Sequence, residues 1–442
     1  MAAQNSARGQ PDPGGSWACK KNATLRVLWG SKPSYLPPHA GGRALKPKAI
    51  VLLLTARKDD VMSKLKELQA RGQSIWIDYI KRSMLTTGEL SRLIDDGLLG
   101  LTSNPSIFEK AIAESSEYQD DILKLAPSAL GTEEIYEKLA IADIQMAADA
   151  FQPVYESTKG RDGFVSLEVS PEFARDSTGT REEARRLWKS VGRKNLMVKV
   201  PGTPEGLDAY ETLITEGINV NVTLLFSVSV YEEVAARYIA GLNRRASAGH
   251  DVSRVASVAS FFVSRVDTAV DALIEARLKR ASAEQQPSLR KLLGKAAIAN
   301  AKLAYAHYQA LFSGPDWKVL ESKGAQPQRV LWASTGTKNP AYSDVLYIEE
   351  LIGSNTVNTV PPATLAAFRA HGHVRDSLTE NLQDARVTIE AIALAGISMN
   401  EVTEGLLNDG QKLFVDAFRK MLAAVDKARG NPERNVEAQA GE

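Results

Sequence analysis

Eight short apolar or β-branched runs recur along this chain: SIWIDYI (74–80), LLGLTSN (98–104), GFVSLEVS (163–170), LMVKVP (196–201), INVNVTLL (218–225), VASVASFFVSR (255–265), RVLWAST (329–335) and SNTVNTVP (354–361). Runs of this kind, bounded by turn residues, suit strands covered on both faces, and such strands belong to parallel sheets whose crossovers are helices. The stretches between them carry helical spacing: TTGELSRLIDDG with a threonine N-cap and closing glycine, SIFEKAIAESSEYQDDILKLA, TEEIYEKLAIADIQMAADAFQPVY, REEARRLWKSVGR and SVYEEVAARYIAGL. A long helical stretch from Asp267 to Phe312 follows the sixth run, and two helices near 377–396 and 400–428 close the chain. The alternation predicts an α/β protein built as a single (β/α)8 TIM barrel with additional helices over 62–430. A doubly wound open sheet is the competing arrangement, but no glycine-rich dinucleotide or nucleotide-phosphate motif follows the first run.

The ends differ from this pattern. The first sixty residues hold ten Lys or Arg against three acidic residues, with Pro and Gly clusters and no sustained periodicity, so a disordered N-terminal extension is expected over 1–61. A basic, acid-poor start resembles an organelle transit peptide. Met62, however, opens MSKLKELQARGQSIW, which reads as an ordinary cytosolic start running into a helix. A start-site extension of a cytoplasmic protein is the favoured reading, with targeting through 1–61 as the alternative. Residues 431–442 form a polar C-terminal tail expected to fray.

Several function classes are set aside by composition. With 54 basic and 53 acidic side chains, the net charge of +1 gives no reason to expect nucleic acid or an anionic membrane as partner, so any anion site must be local. Cys19 is the single cysteine, which removes disulfide frameworks and cysteine-based zinc or redox motifs, and of five histidines just His371 and His373 lie close in sequence, so no metal site is expected. The longest apolar run, AIVLLLTA, falls far short of the roughly 18 residues of a membrane span.

In a (β/α)8 barrel the chemistry sits at the C-terminal ends of the strands. Polar residues there form the candidate set: Asp78, Asn104, Glu168, Lys199, Asn221, Thr223, Ser260, Arg265 and Ser334. Each has a plainer reading. Asp78 can cap the next turn, Asn104 can be an N-cap before a helix-opening proline, Glu168 and Lys199 can be a salt bridge inside the barrel, and strands accept Thr223 and Ser334 freely. Their convergence favours chemistry, since a packed core has no need of carboxylates, an amine, amides and hydroxyls all directed inward by the strand period of two.

Lys199, set between valines in NLMVKVPGTPEGLDA, is the centre of that chemistry. A lysine desolvated among apolar neighbours has its ammonium form disfavoured, and the neutral amine can attack a ketone to give an iminium, an electron sink. A carbon–carbon bond beside the former carbonyl then breaks once a base such as Asp78 removes the proton of the neighbouring hydroxyl. Glu168 can move protons through a water while the carbinolamine forms and collapses.

The segments LTSNPSIFEKAI, VSLEVSPEFARD, NLMVKVPGTPEGLDA, GINVNVTLLFS, ASFFVSRVD and WASTGTKNP resemble the transaldolase family in order and in barrel position, from about Gln73 to the last helices. That resemblance implies a Schiff-base enzyme without cofactor. It implies transfer of a dihydroxyacetone unit from sedoheptulose 7-phosphate or fructose 6-phosphate to glyceraldehyde 3-phosphate or erythrose 4-phosphate, in the non-oxidative pentose phosphate pathway. By position it makes Lys199 the Schiff-base lysine, Asp78 the acid/base at the C4 hydroxyl, Glu168 the carboxylate acting through water, and Thr223 the residue orienting that water. Asn104, Asn221 and Ser334 would hold the hydroxyls of the three-carbon unit, with Ser260 nearby as a further substrate-binding residue, and Arg265 the phosphate. Many relatives carry a second arginine two residues after the serine of the seventh strand, whereas this chain reads Ser334-Thr335-Gly336-Thr337-Lys338, so Lys338 is expected to supply that contact. The related fructose 6-phosphate aldolases have glutamine in place of Glu168, which favours transfer over simple aldol cleavage. Sugar phosphates are the implied partners, without nucleic acid or membrane, and self-association is left open.

Overall fold

The computed structural model describes residues 62–430; the extension expected over 1–61 and the tail over 431–442 lie outside the described residues. A strand forms at each of the eight runs: β1 (Gln73–Asp78), β2 (Gly100–Thr102), β3 (Phe164–Glu168), β4 (Leu196–Pro201), β5 (Val220–Leu225), β6 (Ser257–Phe262), β7 (Arg329–Ala333) and β8 (Thr356–Val360). They pair in chain order, all parallel, and β8 closes onto β1 through a register running from Gln73↔Thr356 to Ile77↔Val360. The closed (β/α)8 barrel is therefore the architecture, and the open sheet is excluded. No position of β4, β5 or β6 escapes burial, as expected of strands enclosed by helices outside and by side chains within.

Several helix boundaries depart from the sequence reading for local reasons. The helix Glu89–Asp96 is entered through Gly88 at φ 75°, not through a threonine cap, because the chain turns sharply out of a preceding short helix, Arg82–Thr86, and that left-handed turn suits glycine. Asp176 starts its helix at Ser177, ahead of the REEARR segment, by accepting a hydrogen bond from the Thr178 amide. The stretch from Asp267 to Phe312 is three helices, Ser264–Leu278, Gln286–Arg290 and Ala296–Leu311, broken where Gly294 takes φ 67°. Pro362–His371 is a helix that its short apolar sequence did not announce.

The barrel interior is filled from below by one large side chain. Trp76 is fully buried, and a Cβ added at Gly100 on the neighbouring strand would lie 2.6 Å from its ring, so glycine makes the space that the indole occupies. Beneath it Arg329 donates to Asp162 at 2.9 Å, to the Ser74 hydroxyl at 2.7 Å and to the Arg161 carbonyl at 2.6 Å, while the Trp76 Nε1–H donates to Asp162 at 3.3 Å. This plug is buried, with side-chain exposures of 5% for Arg329 and 6% for Asp162.

Removing one member of such a pair leaves the other charged and unpaired in the interior. Arg329→Met is therefore expected to cost about 3 to 5 kcal/mol of stability, measured by urea unfolding; a loss under about 1 kcal/mol would show that the plug contributes little.

Candidate active site

At the opposite end of the barrel the strand register gathers the polar set. Glu168 and Lys199 are paired neighbours across β3 and β4, and Lys199 pairs with Asn221 and Pro201 with Thr223 across β4 and β5. Strand β4 ends in the turn Pro201-Gly202-Thr203-Pro204-Glu205-Gly206. Thr203 Oγ1 accepts from the Gly206 amide at 3.0 Å and donates to the Ala174 carbonyl at 2.6 Å, so the next helix begins at the barrel rim. A Cβ at Gly206 would fall 2.1 Å from the Pro201 carbonyl, which fixes glycine there.

Lys199 is buried, and it is partnered. Its Nζ lies 3.0 Å from Glu168 Oε2, donates to the Ser103 carbonyl at 2.9 Å, and stands 6.0 Å from the centre of the Phe414 ring. Burial is thus one part of the environment, and a carboxylate at contact distance is the other. Burial pushes the Glu168 carboxyl above its ordinary pKa, and the nearby Asp78 charge adds to the rise while Lys199 opposes it. Burial likewise raises Asp78, against the pull of Lys199, the Thr102 hydroxyl, Lys338 and Arg265. Asp78 does not cap a turn: its Oδ1 accepts from Thr102 Oγ1 at 2.7 Å, and Thr102 in turn meets Thr359 Oγ1 at 2.7 Å.

Eight of the ten expected site residues line one cavity of about 320 Å³: Asp78, Asn104, Lys199, Thr223, Ser260, Arg265, Ser334 and Lys338. Two do not. Glu168 faces a smaller neighbouring cavity beside Ser170 and Glu183 while holding Lys199. Asn221 lies within the barrel, fully buried, its amide donating to Ser166 Oγ at 3.1 Å and its oxygen accepting from Ser260 Oγ at 2.7 Å. Asn104 serves two ends at once, since its Oδ1 caps the helix Pro105–Ala113 through the Ile107 amide at 3.1 Å while the residue lines the cavity.

Thr223 stands at a break in the ladder. The β5–β6 register shifts between Val222 and Leu225, and Leu224 takes φ 62°, a left-handed conformation unusual for leucine. The Thr223 hydroxyl is buried and has no hydrogen-bond partner among the described residues. A buried hydroxyl of that kind is an open position for a ligand or water.

The cationic end of the cavity is held together by the loop after β7. Ser334, at φ 56°, meets the Ser264 hydroxyl at 3.0 Å, directly before Arg265. Tyr342 donates to Asp271 at 2.7 Å and Tyr347 to Asp267 at 2.8 Å, so the segment bearing Lys338 is tied twice to the helix that begins beside Arg265. Burial pushes Asp267 up to about 6. The Arg265 guanidinium lies 5.4 Å from the Phe262 ring centre, and burial lowers its pKa against the charges of Asp409 and Asp78.

The sequence reading missed Thr102, Lys110, Thr359 and Phe414, all of which line the cavity. Thr102 was available from the strand period, two residues before Asn104. Phe414 comes from the C-terminal helix Met399–Arg429, where nothing in the local pattern separates it from an ordinary core phenylalanine.

Residues 75–425 match the family described as Transaldolase/Fructose-6-phosphate aldolase. The chain belongs to that family. It is 47% identical to the transaldolase of Trichodesmium erythraeum over 371 residues, covering 83% of this chain and 98% of that protein. The transaldolases of Neisseria gonorrhoeae and Thiobacillus denitrificans are 46% and 47% identical, each over 82% of this chain and over 99% and 100% of their own lengths. The segments that carry the transaldolase resemblance in the sequence thus bring most of their polar residues to one cavity at the strand ends.

Because burial raises its pKa, Asp78 keeps a proton in the fold at pH values where it is ionised in the unfolded chain, so its contribution to stability declines as pH climbs from about 4 through the raised value. Asp78→Asn removes that decline. The variant is expected to melt above the unsubstituted protein, by a margin that widens as pH climbs above about 4 in thermal scans; a margin independent of pH would remove Asp78 as its source.

Proposed function

We propose that the chain works as a transaldolase, taking a dihydroxyacetone unit from a ketose phosphate such as sedoheptulose 7-phosphate or fructose 6-phosphate and passing it to glyceraldehyde 3-phosphate or erythrose 4-phosphate. The observation that carries this reading is the buried Lys199 amine 3.0 Å from Glu168, on the floor of a cavity that also holds Asp78 and Arg265.

The ammonium proton of Lys199 passes to Glu168, which burial makes a better base. The neutral amine adds to the C2 carbonyl of the donor. Glu168, acting through a water that the open Thr223 hydroxyl orients, returns the proton to the departing oxygen, and the carbinolamine collapses to an iminium with loss of water. Asp78 takes the proton of the C4 hydroxyl, the C3–C4 bond breaks, the aldose leaves, and its electron pair neutralises the iminium to an enamine on Lys199. The acceptor aldehyde undergoes the reverse course: the enamine carbon attacks, Asp78 returns its proton to the new hydroxyl, and hydrolysis frees the product. The iminium is itself the electron sink, so the scheme draws on protein groups alone.

Asn104, Ser260 and Ser334 hold the hydroxyls of the three-carbon unit in this proposal, with Asn221 fixing Ser260 from beneath. Arg265 and Lys338 take the phosphate, the first as a planar fork and the second as a point charge. Simple Schiff-base aldol cleavage is the alternative, and Glu168 in place of glutamine favours transfer. A place in the non-oxidative pentose phosphate pathway and a cytoplasmic location belong to the same proposal, as does the absence of nucleic-acid or membrane partners; among the described residues no helix is long and apolar enough to cross a membrane.

Borohydride reduction with fructose 6-phosphate, coupled to peptide mass mapping, is expected to leave a three-carbon adduct on Lys199 and none in Lys199→Ala; an adduct on another lysine would overturn the mechanism. Product formation is expected to depend on added erythrose 4-phosphate, and turnover indifferent to the acceptor would make the enzyme an aldolase. Lys338→Ala is expected to raise the donor KM roughly ten- to a hundredfold with kcat little changed, the worth of one charge-assisted hydrogen bond. An unchanged KM would take Lys338 out of the phosphate site.

A further inference from the structure

Phe414 has no part in the chemistry above, yet it lines the same cavity as Lys199, Asp78 and Arg265. It is 5% exposed, its ring centre is 6.0 Å from Lys199 Nζ, and it comes from the C-terminal helix Met399–Arg429 and not from the barrel. Packing fixes that helix in place. Phe418, one turn further on, meets the Tyr136 ring edge-on at 5.9 Å, and Tyr136 meets Phe108 edge-on at 5.8 Å. One turn earlier is Gly410, where a Cβ would lie 3.0 Å from Leu224 Cδ2 and 3.6 Å from an Arg265 guanidinium nitrogen. Glycine there lets the helix settle on the irregular end of β5 while leaving room beside the arginine. The aromatic ring is thus held near the amine by the protein's own packing.

From this geometry we infer that Phe414 sets the partition of the three-carbon intermediate between transfer to a second sugar and loss to water. The inference rests on the transaldolase reading. After cleavage Lys199 carries the enamine and Asp78 the proton. If that proton returns to carbon, an iminium forms; water then adds at its carbon, the C–N bond breaks, dihydroxyacetone leaves and Lys199 is restored as the ammonium. The sequence consumes one water, balances without oxidant or reductant, and competes with the acceptor for the same intermediate. The packed aromatic ring is an apolar wall that denies water one approach to the carbon adjoining the nitrogen. A transferase needs such a wall, because its intermediate has to outlast the interval between departure of one aldose and arrival of the next.

The test compares the unsubstituted enzyme with Phe414→Ala and Phe414→Leu. Dihydroxyacetone released from fructose 6-phosphate without acceptor is measured beside transfer to erythrose 4-phosphate, on preparations whose thermal midpoints show them folded. The ratio of release to transfer is expected to rise roughly tenfold in Phe414→Ala, where water gains that approach, and by less in Phe414→Leu, which keeps part of the apolar wall. Borohydride is expected to trap the adduct on Lys199 in both variants. If the two rates fall together and the ratio holds, Phe414 is packing alone and the inference is overturned. If Phe414→Ala does not fold, the folded leucine variant decides by the same ratio. Failure of the unsubstituted enzyme to form the adduct or to use the acceptor would instead strike at the transaldolase reading itself.

Discussion

The ion pair between Lys199 and Glu168 exists because the two side chains leave adjacent strands at the same level and are directed into an interior with little water to share. An isolated ammonium at such depth is too costly to keep, and an isolated carboxylate equally so. Side by side at 3.0 Å each makes the other tolerable. The remaining polar groups are arranged around that pair: Ser103 offers a carbonyl to the amine, Thr102 steadies Asp78, and the Ser166–Asn221–Ser260 chain closes the layer beneath. The closed barrel makes this arrangement available, since eight strand ends converge on one small circle.

The two ends of the barrel use the same kind of interaction to different effect. Below, Arg329 and Asp162 are enclosed by Ser74, Trp76 and the Arg161 carbonyl, with their hydrogen bonds made. Above, the set is left incomplete. The Thr223 hydroxyl has no partner among the described residues, and two buried carboxyls have pKa values raised by desolvation within reach of one lysine. Saturated hydrogen bonding is the mark of a structural plug, and open valences beside perturbed acids are the mark of a reactive site. Backbone strain does not follow that division, since Leu224 and Ser334 are left-handed at the upper rim and Lys159 and Asn355 at the lower end.

Legibility in the sequence depended on how local each signal was. Strands enclosed on both faces read as apolar runs, so all eight could be found, and Asp78, Glu168 and Lys199 stood out because charge inside such a run is rare. Asn104 was recognisable both as a cap and as a site residue, and it is placed as both. What could not be read depended on contacts distant along the chain. Whether Asn221 would face the cavity or lie beneath it depends on its bonds to Ser166 and Ser260 on the flanking strands. Phe414 reaches Lys199 from a helix more than two hundred positions away in sequence, and no periodicity carries that information. The misplaced N-cap before Glu89 has a different cause: threonine is the better cap, but the left-handed turn between two helices selects Gly88.

Gly100 and Trp76 carry a consequence for how this barrel can vary. The hydrogen of one residue stands where the ring of the other would collide with any side chain, and the two sit on neighbouring strands. Neither position has freedom alone: a methyl group at 100 demands a smaller residue at 76, and a smaller residue at 76 opens a void that position 100 must help to fill. Substitutions at these two sites should therefore travel as a pair through descent, leaving in the sequences of relatives a correlated trace of a contact that neither residue announces by itself.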